Sequence, residues 1–190
     1  MKNSRLFFKK RNFFGTANSG SILRSGEGFT LLETLIAITV LTMATLGPMQ
    51  LASRMISSAR VSQDRIIAFY LAQEGIEYVR NTRDNNFLNS SSGWLDGLDA
   101  CFGANGCIVD VPYATIAACD AECPDIKYDD ENGYYYNYIQ GAATIFKRVV
   151  KISPNVGGNP DEANVRSVVS WKDGAGVKEV VLEENIFNWR

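Results

Sequence analysis

Histidine is absent from all 190 residues. That removes the side chain most used as a general base and metal ligand near neutral pH, and it argues against hydrolase or metalloenzyme chemistry. No catalytic residue and no cofactor is expected. Cysteine is confined to Cys101, Cys107, Cys119 and Cys123. Their spacings fit no common zinc pattern, and without histidine such a site would need all four thiolates. Two disulfides are the favoured reading, with three connectivities open, and they belong to a compartment outside the cytoplasm. Net charge is nearly nil, at −2, but it is unevenly placed. Residues 1–28 hold six basic and one acidic residue, and the remainder holds thirteen and twenty. An acidic body lacks the clustered Lys and Arg that phosphate binding needs, so nucleic acid is not expected as the main partner.

Charge is scarcest over residues 29–52, where Glu33 is the only formal charge in an apolar run. As a helix this run is about 36 Å long, enough to cross a hydrocarbon core of about 30 Å. The basic residues Lys2, Arg5, Lys9, Lys10, Arg11 and Arg24 precede it, which orients the N-terminus to the cytoplasm. A cleaved secretory signal would end in a small-residue pair beyond the run. Here Gln50-Leu51-Ala52 puts a bulky polar residue in the way, and Thr45-Leu46-Gly47 is followed by Pro48. The helix is therefore expected to stay, and a carboxylate at membrane depth calls for a partner.

Helical patterning continues beyond the run. Ala68, Leu71, Ala72, Gly75, Ile76 and Val79 recur at three- and four-residue steps, with Arg65, Gln73, Glu77, Arg80 and Arg83 largely off the stripe. Asn85-Asn86 reads as a stop, so one helix is expected over residues 29–82, near 80 Å long. Gly47-Pro48 interrupts it, because proline removes a backbone donor and crowds the preceding turn. Residues 83–133 are rich in Gly, Ser, Asn and Asp and carry all four cysteines, and they read as a long connection. Strands are expected at 134–140, 144–153, 165–172 and 177–185, with a hairpin turn at residues 173–176. Within the loop, Asp125, Asp129, Asp130, Glu131 and Asn132 gather oxygens, but a solvated acidic loop is a better reading than a calcium site. Tyr134, Tyr135, Tyr136 and Tyr138 read as ordinary sheet tyrosines before a stacking platform. Asp96 and Asp99 beside Trp94 have no third group to make a paired-carboxylate site.

The segment Gly28-Phe29-Thr30-Leu31-Leu32-Glu33, followed by the apolar helix, resembles the class III signal of type IV prepilins and pseudopilins, most of all minor pilins. The resemblance implies that prepilin peptidase cuts after Gly28 and removes residues 1–28, and that Phe29 becomes the N-methylated first residue. Glu33 would meet the amino terminus of a neighbouring subunit during assembly, two opposite charges neutralising each other where either alone is penalised. Gly47-Pro48 fits both a helix-loosening site of the kind such subunits carry and a simple membrane kink. The implied fold is α+β, with a long N-terminal helix whose second half packs on a sheet of three or four antiparallel strands. Residues 29–52 would be the membrane and assembly helix, 53–82 its amphipathic continuation, 83–133 the Cys-bearing αβ-loop and 134–190 the sheet. The implied partners are the peptidase, other pilin subunits, the pilus assembly machinery and, before assembly, inner-membrane lipid. The chain would be single-pass with an exported C-terminal domain, and later part of a pilus at the cell surface. A type II secretion pseudopilin shares these N-terminal features. A pilin-anchored adhesin is the alternative of another class.

Overall fold

The computed structural model describes residues 28–89, 93–133, 135–174 and 176–189. The basic leader residues Lys2 to Arg24, together with Tyr134 and Ala175 of the expected strand and hairpin turn, lie outside the described residues. The chain forms two compact units, one ending at Met49 and one beginning at Gln50.

A single helix, α1 (Leu31–Leu88), contributes to both units. In the first unit it is exposed on every side. Pro48 lies inside α1 without ending it, and the boundary between the two units falls just beyond Gly47-Pro48. Because proline has no N–H, the carbonyl of Ala44 has no helical donor there. Thr30 sets the start of the helix. Its hydroxyl accepts the Glu33 N–H at 3.2 Å, and its carbonyl accepts the Thr34 N–H at 3.1 Å. The helix ends six residues past the expected Thr82. Asn85 and Asn86 are only weakly unfavourable in a helix interior, and Asn86 is recruited instead by tertiary contacts, donating to the carbonyls of Trp94 and Asp96.

The second unit is built on an antiparallel sheet of seven strands. These are β1 (Cys107–Asp110), β2 (Thr115–Ala118), β3 (Asp125–Asp129), β4 (Tyr135–Asn137), β5 (Ala142–Pro154), β6 (Glu162–Asp173) and β7 (Gly176–Phe187). The four strands expected in the C-terminal third are β4 to β7. Three more, β1 to β3, come from the segment that reads as a loop, so three or four strands is an undercount. Each of the three is only four or five residues long, too short for an alternating pattern to stand out. The hub is β5, which pairs with β6 from Phe146↔Trp171 to Pro154↔Ala163, with β3, and with β1 at Val150↔Cys107.

Alternation explains how the sheet finds its inner face. Phe146, Arg148, Val150 and Ile152 of β5 are buried, as are Val165, Ser167, Val169 and Trp171 of β6. Against them α1 lays the stripe Ala68, Leu71, Ala72, Gly75, Ile76 and Val79, every member buried. Gly75 permits the closest approach: a Cβ there would stand 2.9 Å from Ser167 Oγ and 3.0 Å from a Val150 methyl. Arg83 continues the stripe and is buried, its guanidinium 4.4 Å from the centre of the Trp189 ring. That corrects the reading of Arg83 as a residue off the stripe. The last turn holds no basic residue.

The four cysteines form two local bridges, Cys101–Cys107 and Cys119–Cys123. Cys101 and Cys107 are fully buried beside Leu98, Val109 and Ile76. The second bridge closes the connection from β2 to β3. Cross-links of this kind restrict the unfolded chain and add to the little apolar burial that such short strands supply.

Candidate functional site

Gly28, Phe29 and Thr30 precede α1 without regular structure. A Cβ on Gly28 would meet nothing within 4 Å, so no internal packing requires glycine at this position. Phe29 is exposed, and so is Glu33. Thr30-Leu31-Leu32-Glu33 has the spacing of a capping box, a helix-start signal present in the sequence but not used in reading it. Glu33 is the acidic residue of the first turn, where the positive end of the helix dipole favours it. Among the described residues its carboxylate has no hydrogen-bond partner.

The polar groups that follow are satisfied differently. Thr34, Thr39, Thr42 and Thr45 donate their hydroxyls to the carbonyls of Leu31, Ile36, Thr39 and Thr42, at 2.8–3.0 Å. Each threonine is thereby closed within its own helix and presents little but a methyl group outward. Glu33 remains as the one charged group in residues 29–52, and among the described residues it has no partner.

The apolar side chains of this segment have no partner either. Twelve large hydrophobics from Phe29 to Leu51 are at least half exposed. Leaving them in water would cost on the order of 20 kcal/mol at the usual value per buried side chain. Among the described residues one helix is long and apolar enough to cross a membrane, and this is its apolar part. The geometry fits a segment covered by lipid, by other helices or by each in turn.

Within the second unit the later part of α1 is tied to the sheet through Arg148, which is 2 % exposed. Its guanidinium donates to the Leu71 carbonyl at 2.9 Å, to Glu74 at 2.6 Å and to the Val109 carbonyl. One side chain on β5 thus joins α1 to β1. The Tyr138 ring lies beside it, 5.9 Å away, and burial pushes the Tyr138 phenol up, partly opposed by the Arg148 charge. Tyr113 is pushed up to about 12, chiefly by its hydrogen bond with the Tyr135 hydroxyl.

The other constellations resolve into structural roles. Asp129 accepts from the backbone N–H groups of Glu131 and Asn132 and from the Asn132 amide, and these bonds hold its carboxyl below the usual range. Asp125 and Asp129 are the two ends of β3, and Asp130, Glu131 and Asn132 lie in the turn that follows, so the acidic residues are divided between a strand and a turn. Tyr136 packs on Tyr128 with ring centres 5.0 Å apart, and Tyr135 meets Tyr113 edge-on. Asp96 accepts the Gly93 N–H and shapes a turn. No group of three or more metal-ligating side chains occurs among the described residues.

Comparison with protein-family profiles, with curated proteins and with solved structures gives no match. Identification therefore rests on the chain's own features, a long N-terminal helix whose first part is apolar and whose later part packs on an antiparallel sheet. The architecture is pilin-like. With two disulfides in the folded unit, the apolar helix fits a membrane anchor for a domain outside the cytoplasm.

Proposed function

We propose that the chain is a type IV pilin-like subunit of the minor kind, made as a single-pass membrane precursor and polymerised through α1. The observation that carries the proposal is the contrast within residues 29–52: every threonine hydroxyl is satisfied inside the helix, whereas Glu33 is exposed and unpaired. A lone carboxylate in an apolar segment is costly unless a cation from another molecule meets it. Cleavage after Gly28 would create such a cation, the amino group of Phe29 on a neighbouring subunit. The open surroundings of Gly28 suit a peptidase that must approach the backbone. The cross-linked segment between α1 and β4, built up into three strands, supports a specialised subunit over a bulk one.

Glu33→Val tests the role of the carboxylate. Cleavage after Gly28 is expected to persist while incorporation into filaments falls at least about tenfold, the equivalent of one lost charge pair. Filaments containing the variant at normal levels would remove Glu33 from the assembly step. For the unaltered chain, processing with retention in the envelope and none in filaments would favour the pseudopilin reading.

A further inference from the structure

Beyond its apolar run, α1 stays bare for several turns before it meets the sheet. From Gln50 to Gln63 it is exposed on every side, and burial along one stripe begins only at Ala68. Charge enters this stretch in a definite order. Arg54 and Arg60 are the first two basic residues after the run, whereas no acidic residue occurs between Glu33 and Asp64. Neither they nor the next cation, Arg65, forms an ion pair among the described residues. Leu51, Met55 and Ile56 stand among them, each about 60 % exposed.

Direction and depth decide what can cover such a stretch. At about 100° per residue, Arg54 and Arg65 share a face of α1, and Arg60 stands about 120° away from both. A protein surface laid along one side of the helix would reach the first pair and miss Arg60. A layer that surrounds the helix selects residues by depth instead. Arg54 lies about 3 Å beyond Ala52 along the axis, Arg60 about 12 Å and Arg65 about 20 Å. The headgroup layer beyond a hydrocarbon core is about 5–8 Å thick. Helical side chains lean towards the N-terminus, which here is back towards the apolar run. Arg54 therefore falls within that layer, Arg60 reaches its outer part through a long stem, and Arg65 stands outside it. Phosphate is the anion the layer offers, and a guanidinium binds it through paired N–H donors.

We propose that Arg54 and Arg60 bind lipid phosphates on the exported side of the membrane and so fix the depth of the apolar helix before assembly. The inference rests on the reading of residues 29–52 as a membrane anchor and names the contact that ends it. Residues 29–53 hold no basic side chain, so once residues 1–28 are cut away these arginines are the side-chain cations nearest the run.

The test places the full chain in vesicles of phosphatidylethanolamine and phosphatidylglycerol and reads depth from a nitroxide on Ser57→Cys, between the two arginines. All four native cysteines are paired, so the added thiol is labelled alone. Depth follows from the balance of collisions with oxygen, which is enriched in hydrocarbon, and with a water-soluble nickel complex. Changing Arg54 and Arg60 together to Glu sets carboxylates against phosphates and should move the label outward by one helical turn, about 5 Å. Galactolipid vesicles, which lack phosphate, should move the label of the parent in the same direction. Arg65→Glu should leave it in place. The substituted positions are all exposed, and an unchanged near-ultraviolet spectrum would establish that the variants fold. A label unmoved in the double variant overturns the proposal, as does one indifferent to the loss of phosphate. A shift from Arg65→Glu equal to that from Arg54→Glu, with Arg60→Glu silent, also overturns it and gives the stretch to a protein face. A second label on Ile36→Cys, inside the apolar run, keeps the two readings apart. If that label stays in hydrocarbon while the Ser57 label never moves, only the phosphate contact is lost. If it too lies in water, the membrane anchor is lost as well.

Discussion

Replacing Arg148 by alanine should be the most damaging single change in the folded unit. The side chain is 3 % exposed and joins three partners that lie far from it in sequence. Its removal leaves the Leu71 and Val109 carbonyls without those donors and the Glu74 carboxylate without its cation. Breaking a buried pair by deleting one partner typically costs about 3–5 kcal/mol. Glu74 is about one-third exposed, so water recovers part of its share and the lower end of that range applies. For a unit of this size about 3 kcal/mol lowers the melting temperature by roughly 10 °C. Near-ultraviolet circular dichroism would follow the loss through Trp171, which is buried close to the site. Glu74→Gln alone should cost about 1 kcal/mol, and the double variant Glu74→Leu, Arg148→Met should recover the share due to the stranded carboxylate while the two carbonyls stay without those donors. An Arg148→Ala variant within about 1 kcal/mol of the parent would refute the view that this guanidinium ties α1 to the sheet.

Gly75→Leu should destabilise by about 1–3 kcal/mol, since even a Cβ stands 2.9 Å from Ser167 Oγ; a neutral effect in chemical denaturation would contradict the close approach. Changing Cys101 and Cys107 together to alanine should cost about 2 kcal/mol in chain entropy, plus the packing of two fully buried sulfurs. The Cys119–Cys123 pair, at the edge of the core, should cost less, and the reverse order in guanidinium melts would contradict the burial argument. At alkaline pH, Tyr113 should remain neutral up to about 12. Its raised value contributes stability that is full below the ordinary tyrosine value of 10.0 and is lost as pH climbs towards the folded value. Tyr135→Phe should bring the Tyr113 transition, read from tyrosinate absorbance, back towards 10.0; an unchanged transition would exclude the hydroxyl pair as its cause.

The periodic parts of the chain were legible and the aperiodic parts were not. The stripe from Ala68 to Val79 could be read because one face of a long helix repeats the same choice several times. The strands β4 to β7 were read from β-branched and aromatic runs that exceed any helical alternative. Arg83 was misplaced because a charged residue is counted as polar, whereas its stem and guanidinium pack beneath Trp189, a contact set by tertiary structure. The strands β1 to β3 were missed because four or five residues carry little pattern, and their pairing depends on β5 and on the bridges. The local pairing of the cysteines was one of three open choices, decided by which strands become neighbours. At the N-terminus the Thr30 cap was written in the residues as Thr-x-x-Glu, and reading it would have placed the helix start at Leu31. Gly28, Phe29 and Glu33 stand out by chemistry before structure, because a charge and a glycine border an otherwise apolar run.

The central claim is that this chain is processed after Gly28 and then assembles. Mass spectrometry of filaments sheared from cells expressing the full chain tests it most directly. The account predicts a terminal peptide beginning at N-methylated Phe29, recovered from filaments at low stoichiometry. A chain found only in membranes, with its basic leader still attached and an unmodified Phe29, would contradict it.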